Sequence, residues 1–150
     1  YGELRSAAGM ARLIAEARGD SPIKSSEQLK KVIRRFLPHH KENKILAQIY
    51  QAIRIEVNEE LDALKEFLIQ SLEVLKPDGR LSLISYHSLE DRLVKRFMRN
   101  GLFEGEPEKD VFGRVEVPMK SIGKFIIPSE KEIKENNRAR SAKLRIAKKI

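Results

Sequence analysis

The residues best placed to do chemistry are Ser85, Tyr86, His87 and Ser88, four polar side chains in a row. They lie inside LKPDGRLSLISYHSLEDRLVKRFM, Leu75 to Met98, which reads as a helix end, a tight turn, a buried strand and a new helix. In open α/β sheets, ligands bind in the crevice outside the carboxyl ends of the strands, so a polar cluster at this handover marks a candidate site. His87 precedes a helix N-terminus, where the dipole favours a neutral ring, and could orient a substrate or a phosphate. Ser88 has a competing explanation, because Asp91 three residues on completes the pattern of a capping box. A metal site on His87 would have only Glu90 and Asp91 close by, and His39-His40 has no acid or cysteine at ligand spacing, so no metal is expected. No G-x-S-x-G elbow, P-loop or G-x-G-x-x-G fingerprint is present.

The elements around this cluster follow from periodicity. Gly2 to Arg18 reads as a helix, with Leu4, Ala7, Ala11, Ile14 and Ala15 on one face and Gly19 as its cap. Ser25 and Gln28 have capping-box spacing; the helix they start carries Leu29, Val32, Ile33 and Phe36 inward and stops before Pro38. From Ile45 through Ile49, Ile53, Val57, Leu61, Leu64, Leu68 and Leu72 to Leu75 an apolar stripe predicts one long helix, or two meeting near Asn58. Arg54 lies within that stripe and needs a partner, with Asn58 and Glu59 in helical reach. Lys76-Pro77-Asp78-Gly79 is a turn in which Pro sets φ and Gly allows a positive φ. Arg80 to Tyr86 is a strand, apolar at Leu81, Leu83 and Ile84, and Ser88 to Asn100 a helix; this order is the grammar of a parallel α/β sheet. Gly101 to Gly113 is loop-like, and Val115 to Ile127 holds strand pieces broken by Pro118 and Gly123. A short helix follows Pro128. Ser141 to Ile150 reads as a half-buried strand with Ala142, Leu144 and Ile146 inward.

A chain of 150 residues can bury one sizeable core. It lacks cysteine, which excludes disulfides, thiolate zinc sites and cysteine nucleophiles and fits a reducing compartment. No apolar run approaches a membrane span. The net charge of +8 is concentrated at one end: Lys131 to Ile150 carries eight basic residues against two acidic ones. Such a segment suits a polyanion, of which nucleic acid is the usual one. The first residue is Tyr1, so the chain is expected to be a fragment or a processed product.

Three strings carry a family resemblance: QAIRIEVNEEL from Gln51, the Leu75–Met98 string, and NNRARSAKLRIAKK from Asn136. They resemble the bacterial methyltransferases of cytosine in small-subunit ribosomal RNA, the RsmH or MraW family. The likeness spans essentially the whole chain and is weakest from Gly101 to Lys120; Asn137 departs from the proline more usual there. The resemblance implies an α/β fold, part of a Rossmann-like S-adenosylmethionine-dependent methyltransferase sheet with part of a helical insertion domain. Residues 1–50 would belong to the insertion and 51–150 to the second half of the catalytic domain, including the final antiparallel strands of its sheet. The implied reaction is methylation of the exocyclic N(4) amine of a cytidine, with the base splayed out of its stack and positioned against the methyl donor. Ser85, Tyr86 and His87 would lie near the target base, and Arg92, Arg138, Arg140 and Lys143 would contact RNA.

The resemblance also implies what is missing. The family's cofactor site lies mainly in its N-terminal half, in a Gly-rich loop and an Asp-Leu-Gly-type motif, and Gly9, Gly19, Gly79 and Gly101 are isolated and cannot replace them. The chain is therefore expected to be a C-terminal half, inactive alone, holding no cofactor-binding residues of its own and exposing a sheet edge and apolar surface. That edge could pair with a second copy, or helices could be swapped. The expected setting is cytoplasmic, with ribosomal RNA or the small ribosomal subunit as partner. The competing readings are a non-catalytic basic RNA-binding module and an interaction protein that docks its long amphipathic helix.

Overall fold

A computed structural model describes residues 1–150. The chain divides into two compact units, Tyr1–Glu60 and Leu61–Ile150. A boundary at Tyr50 would fall inside a helix.

The first unit contains α1 (Ala7–Asp20), α2 (Ser26–Val32) and α3 (Glu42–Val57), with short 3-10 turns at Arg34–Phe36 and His39–Lys41. Its core is Met10, Leu29, Ile33, Leu37 and Ile49, flanked by Leu4, Ile14, Phe36 and Ile45. α1 begins later than its periodicity suggests, because Glu3 takes a positive φ and the Ala7 amide closes a turn on the Leu4 carbonyl. α2 starts at the expected capping box: Gln28 N–H donates to Ser25 Oγ at 3.2 Å and Ser25 N–H to Gln28 Oε1 at 3.2 Å. It tightens into 3-10 geometry as Pro38 approaches, since the residue before a proline is driven out of the α region.

The long apolar stripe is broken in two. α3 ends at Asn58, Glu59 takes φ 51°, and α4 spans Glu60–Val74. Arg54 does not pair with Glu59; its Nε and Nη2 donate to Glu60 Oε1 and Oε2 at 2.7 and 3.1 Å, and Asn58 Nδ2 donates to Glu60 Oε1 at 3.2 Å. The left-handed residue turns Glu59 away and brings Glu60 to the guanidinium. Ile53 and Val57, expected inside, are largely exposed at 44% and 74%.

The second unit holds α4 beyond Glu60, β1 (Arg80–Ser85), α5 (Ser88–Asn100), β2 (Met119–Ser121), α6 (Glu130–Glu135) and β3 (Lys143–Lys149). The Lys76–Gly79 turn forms as expected, but Asp78, not Gly79, takes the positive φ of 65°. Gly79 is needed for closeness: a Cβ there would lie 2.7 Å from the Lys76 carbonyl oxygen. The sheet is antiparallel throughout, in the order β1-β3-β2, as the resemblance implies for the final strands, whereas helix–strand–helix order alone reads as a parallel sheet. After α5 the chain does not return to lay a parallel strand on β1; the C-terminal β3 fills that place, and the other edge of β1 is unpaired.

β3 also presents the face opposite to the expected one. Its pairing sets Leu81 against Ala147, Leu83 against Arg145 and Ser85 against Lys143, so these six residues share one face. Fully buried Ala147 packs with Leu68, Val94, Phe97, Met98 and Met119, with Leu64, Leu72, Leu81 and Leu83 around them. Leu144 and Ile146 fall on the opposite face with Ile84, itself 55% exposed. α5 needs a small residue beneath Phe97, and a buried carboxylate on the helix compensates the arginine beside it. Gly101 caps α5 in left-handed geometry, and Phe97 stacks on Phe103 at 5.0 Å.

Candidate functional site

The carboxyl end of β1 and the amino end of β3 are neighbours, because Ser85 pairs with Lys143. The polar cluster Ser85–Ser88 therefore sits beside the 3-10 turn Asn137–Ser141, which carries Arg138 and Arg140 and leads into β3. Both arginines are exposed and flank buried Ala139. Pairing of β1 with β3 thus brings two groups of expected site residues, about fifty positions apart in sequence, to one end of the sheet.

Within the cluster, His87 rather than Ser88 is the N-cap of α5. Its backbone is extended, and Glu90 N–H donates to His87 Nδ1 at 3.3 Å. Glu90 Oε2 in return accepts from Tyr86 N–H at 2.9 Å and His87 N–H at 3.3 Å. With Nδ1 accepting, the proton of a neutral ring is on Nε2. Nε2 is buried; it lies 3.2 Å from Glu90 Oε1 without hydrogen-bond geometry. The imidazole is thus largely engaged in shaping the strand–helix turn. Ser85 is buried, at 3% exposed, whereas Tyr86 is 55% exposed and Ser88 is exposed as well, so Tyr86 is the cluster's large open side chain.

Moving the cap to His87 releases Asp91 from the capping role expected of it. Its carboxylate turns to the sheet and accepts from Arg145 Nε at 2.7 Å, Arg145 Nη2 at 3.2 Å and Lys143 Nζ at 3.1 Å. Burial pushes the Asp91 carboxyl up, but the hydrogen bonds and charges of Arg145 and Lys143 outweigh it and hold the carboxyl below its ordinary value. Lys143, expected on RNA, thus shares Asp91 with Arg145, so that two cations face one carboxylate, and its side chain stays 38% exposed. Lys143 Nζ and the Arg145 guanidinium also lie 5.6 and 5.1 Å from the ring centre of Phe125. Sequence reasoning missed this cluster; its one trace is that β3 places cations where alternation calls for apolar side chains.

Arg92 lies on the exposed side of α5, on which Lys95 and Arg99 also stand. The β1–α5 turn holds no glycine, the Glu90 amide is spent on His87, and the left-handed glycines, Gly101, Gly105, Gly113 and Gly123, all come after α5. No helix is long and apolar enough to cross a membrane.

Residues 1–150 match the sequence profile of the MraW methylase family over their full length. A "Ribosomal RNA small subunit methyltransferase H" of Flavobacterium johnsoniae is 67% identical over 150 residues, covering all of this chain and 50% of that protein. Proteins of the same name from Flavobacterium psychrophilum and Bacteroides thetaiotaomicron are 72% and 47% identical, covering 99% of this chain and 51% and 49% of their own lengths. The chain spans about half the length of the curated relatives it matches.

Proposed function

From the premise that this chain belongs to the MraW methylase family, we propose that the whole protein methylates the N(4) amine of a cytidine in small-subunit ribosomal RNA, using S-adenosylmethionine. The match along all 150 residues carries the reading. In this proposal the chain is the C-terminal half of a Rossmann-like enzyme of the cytoplasm, with residues 1–50 part of a helical insertion and 51–150 the second half of the catalytic domain. The cofactor is held mainly by residues outside the chain, and the small ribosomal subunit is the partner.

Ser85, Tyr86 and His87 are assigned to the surroundings of the target base. The exposed phenol of Tyr86 is the group that reaches it, while His87 and Ser85 act as positioning residues by fixing the turn that carries Tyr86. Arg138, Arg140 and Lys143 contact the RNA backbone beside them, and Arg92 does so from α5. Labelled methyl transfer from S-adenosylmethionine to small subunits by the whole protein tests the reading. Methylation is expected at one cytidine, and a rate unchanged in Tyr86→Ala would remove Tyr86 from the site. Calorimetric titration of S-adenosylmethionine into this chain alone should give no heat; one-to-one binding would overturn the placement of the cofactor site.

A second reading, a basic RNA-binding module without catalysis, is favoured by one observation: Lys131 to Ile150 carries eight basic residues against two acidic ones. It predicts RNA binding that weakens steeply with salt and no methyl transfer even by the whole protein.

A further inference from the structure

Between the second half of α5 and the Ile122–Phe125 segment lies a cleft of about 340 Å³. The segment arches away from β3 between two tethers. Ile122 N–H donates to the Ile146 carbonyl at 2.8 Å, and Ile126 and Leu144 exchange both backbone bonds at 2.9 Å. Gly123, at φ 67°, forms the bend, with open space where its Cβ would stand. The cleft is walled by Lys95, Arg99, Lys124 and Arg145, with Met98 at its base and Phe125 beside it. Arg145 shares the Asp91 carboxylate with Lys143, whereas Lys95, Arg99 and Lys124 are exposed and have no carboxylate within ion-pair distance. Phe125 is 46% exposed, although Lys143 and Arg145 prop its ring.

We propose that this cleft binds a nucleotide of single-stranded RNA, its phosphates on Lys95, Arg99 and Lys124 and its base stacked on Phe125. Three unpaired cations call for a polyanion, and an exposed aromatic ring beside them calls for one that carries flat, unstacked groups. Single-stranded nucleic acid supplies both, whereas a duplex keeps its bases stacked. The volume lies in the range of small-ligand sites, which begins at about 300 Å³. Arg92 extends the cation row one turn towards the N-terminus of α5, so a strand leaving the cleft would run along the helix towards the β1 end of the sheet. The Asp91 cluster has a second effect here: by holding Arg145 and Lys143 under the ring, it fixes the stacking platform. The inference rests on the ribosomal RNA reading for its ligand class, but not on methyl transfer.

The test is fluorescence anisotropy of this chain with a labelled single-stranded RNA of about ten mixed nucleotides, without S-adenosylmethionine, across a salt series. A triple variant, Lys95→Ala, Arg99→Ala and Lys124→Ala, should flatten the salt slope of log affinity by about 2, because each phosphate contact on a single strand contributes about 0.7. Phe125→Leu should weaken binding by roughly tenfold with the slope unchanged, and should have no effect on an abasic strand of equal length. Lys124→Glu, at an exposed loop position, serves if Phe125→Leu alters the circular dichroism melting curve; it should weaken binding at least as much as Lys124→Ala. A parental affinity and slope in the triple variant would overturn the site, as would equal losses on normal and abasic strands in Phe125→Leu. If the whole protein transferred no methyl group but the triple variant lost binding as stated, the function reading would fail and the cleft would stand.

Discussion

Two helices of this protein start in the same way and serve different ends. α2 begins at Ser25 with Gln28 closing the box, and α5 begins at His87 with Glu90 closing it. The first box is exposed and local: it satisfies amides of the first turn and touches nothing distant. The second occupies a histidine ring at a strand end and sets the helix one residue out of the phase that Ser88 would have set. That shift hands Asp91 to the sheet, where it joins Arg145 and Lys143 from more than fifty residues away. A cap at the α2 site stabilises one helix, whereas the cap at the α5 site also decides which side chains a remote strand can bury.

The largest way to break the comparison is Asp91→Ala. It strands Arg145, whose side chain is 16% exposed, without its counter-charge, and should cost the second unit about 3 kcal/mol, as loss of one partner of a buried pair does. Urea unfolding followed by amide exchange should show the loss in β3 and none in α3. Acid attacks the same cluster more gently. The Asp91 carboxyl is held below its ordinary 3.8, so its stabilisation is complete above about pH 3.8 and is lost as pH falls through the lower folded value. The Asp91→Ala protein should therefore lose less stability than the parent below pH 3.8. His87→Ala removes a cap that supports Asp91 and should cost about 1 kcal/mol, whereas His87→Asn, which supplies another good acceptor, should restore most of it. Smallest is Ser25→Ala, at about 0.5–1 kcal/mol, with exchange accelerated only in the first unit. A Ser25→Ala loss as large as that of Asp91→Ala would erase the distinction between the two starts.

The same contrast marks what was legible in the sequence. Ser25-x-x-Gln28 was read correctly, because both halves of that box are residues that cap wherever they occur. At α5 the sequence points to Ser88 and Asp91, since serine is a common cap and histidine is not, and only the end of β1 decides which residue is still extended. The α3–α4 stripe was read correctly at Ile45, Ile49, Leu64, Leu68 and Leu72. It failed at Ile53 and Val57, where the left-handed Glu59 ends α3 and starts a new phase. The strand positions of β1 and β3 were found, but the buried face of β3 was inverted, because alternation cannot tell a cation paired with a buried aspartate from one in water. Phe125 and its cleft carried no local signal at all.

By itself the amino-acid sequence determined the local events: the caps at α2, the turn at Lys76–Gly79, the helical periods, the basic C-terminal segment and the family. These depend on residues within a turn or two of one another, where side-chain type and spacing settle the energetics. Only the tertiary structure decided that β3 lies between β1 and β2, that Asp91 serves the sheet instead of its own helix, and that Lys95, Arg99, Lys124 and Phe125 line one cleft. The physical reason is that a buried charge must find its partner wherever the chain brings one, and that choice is made by packing across the whole unit.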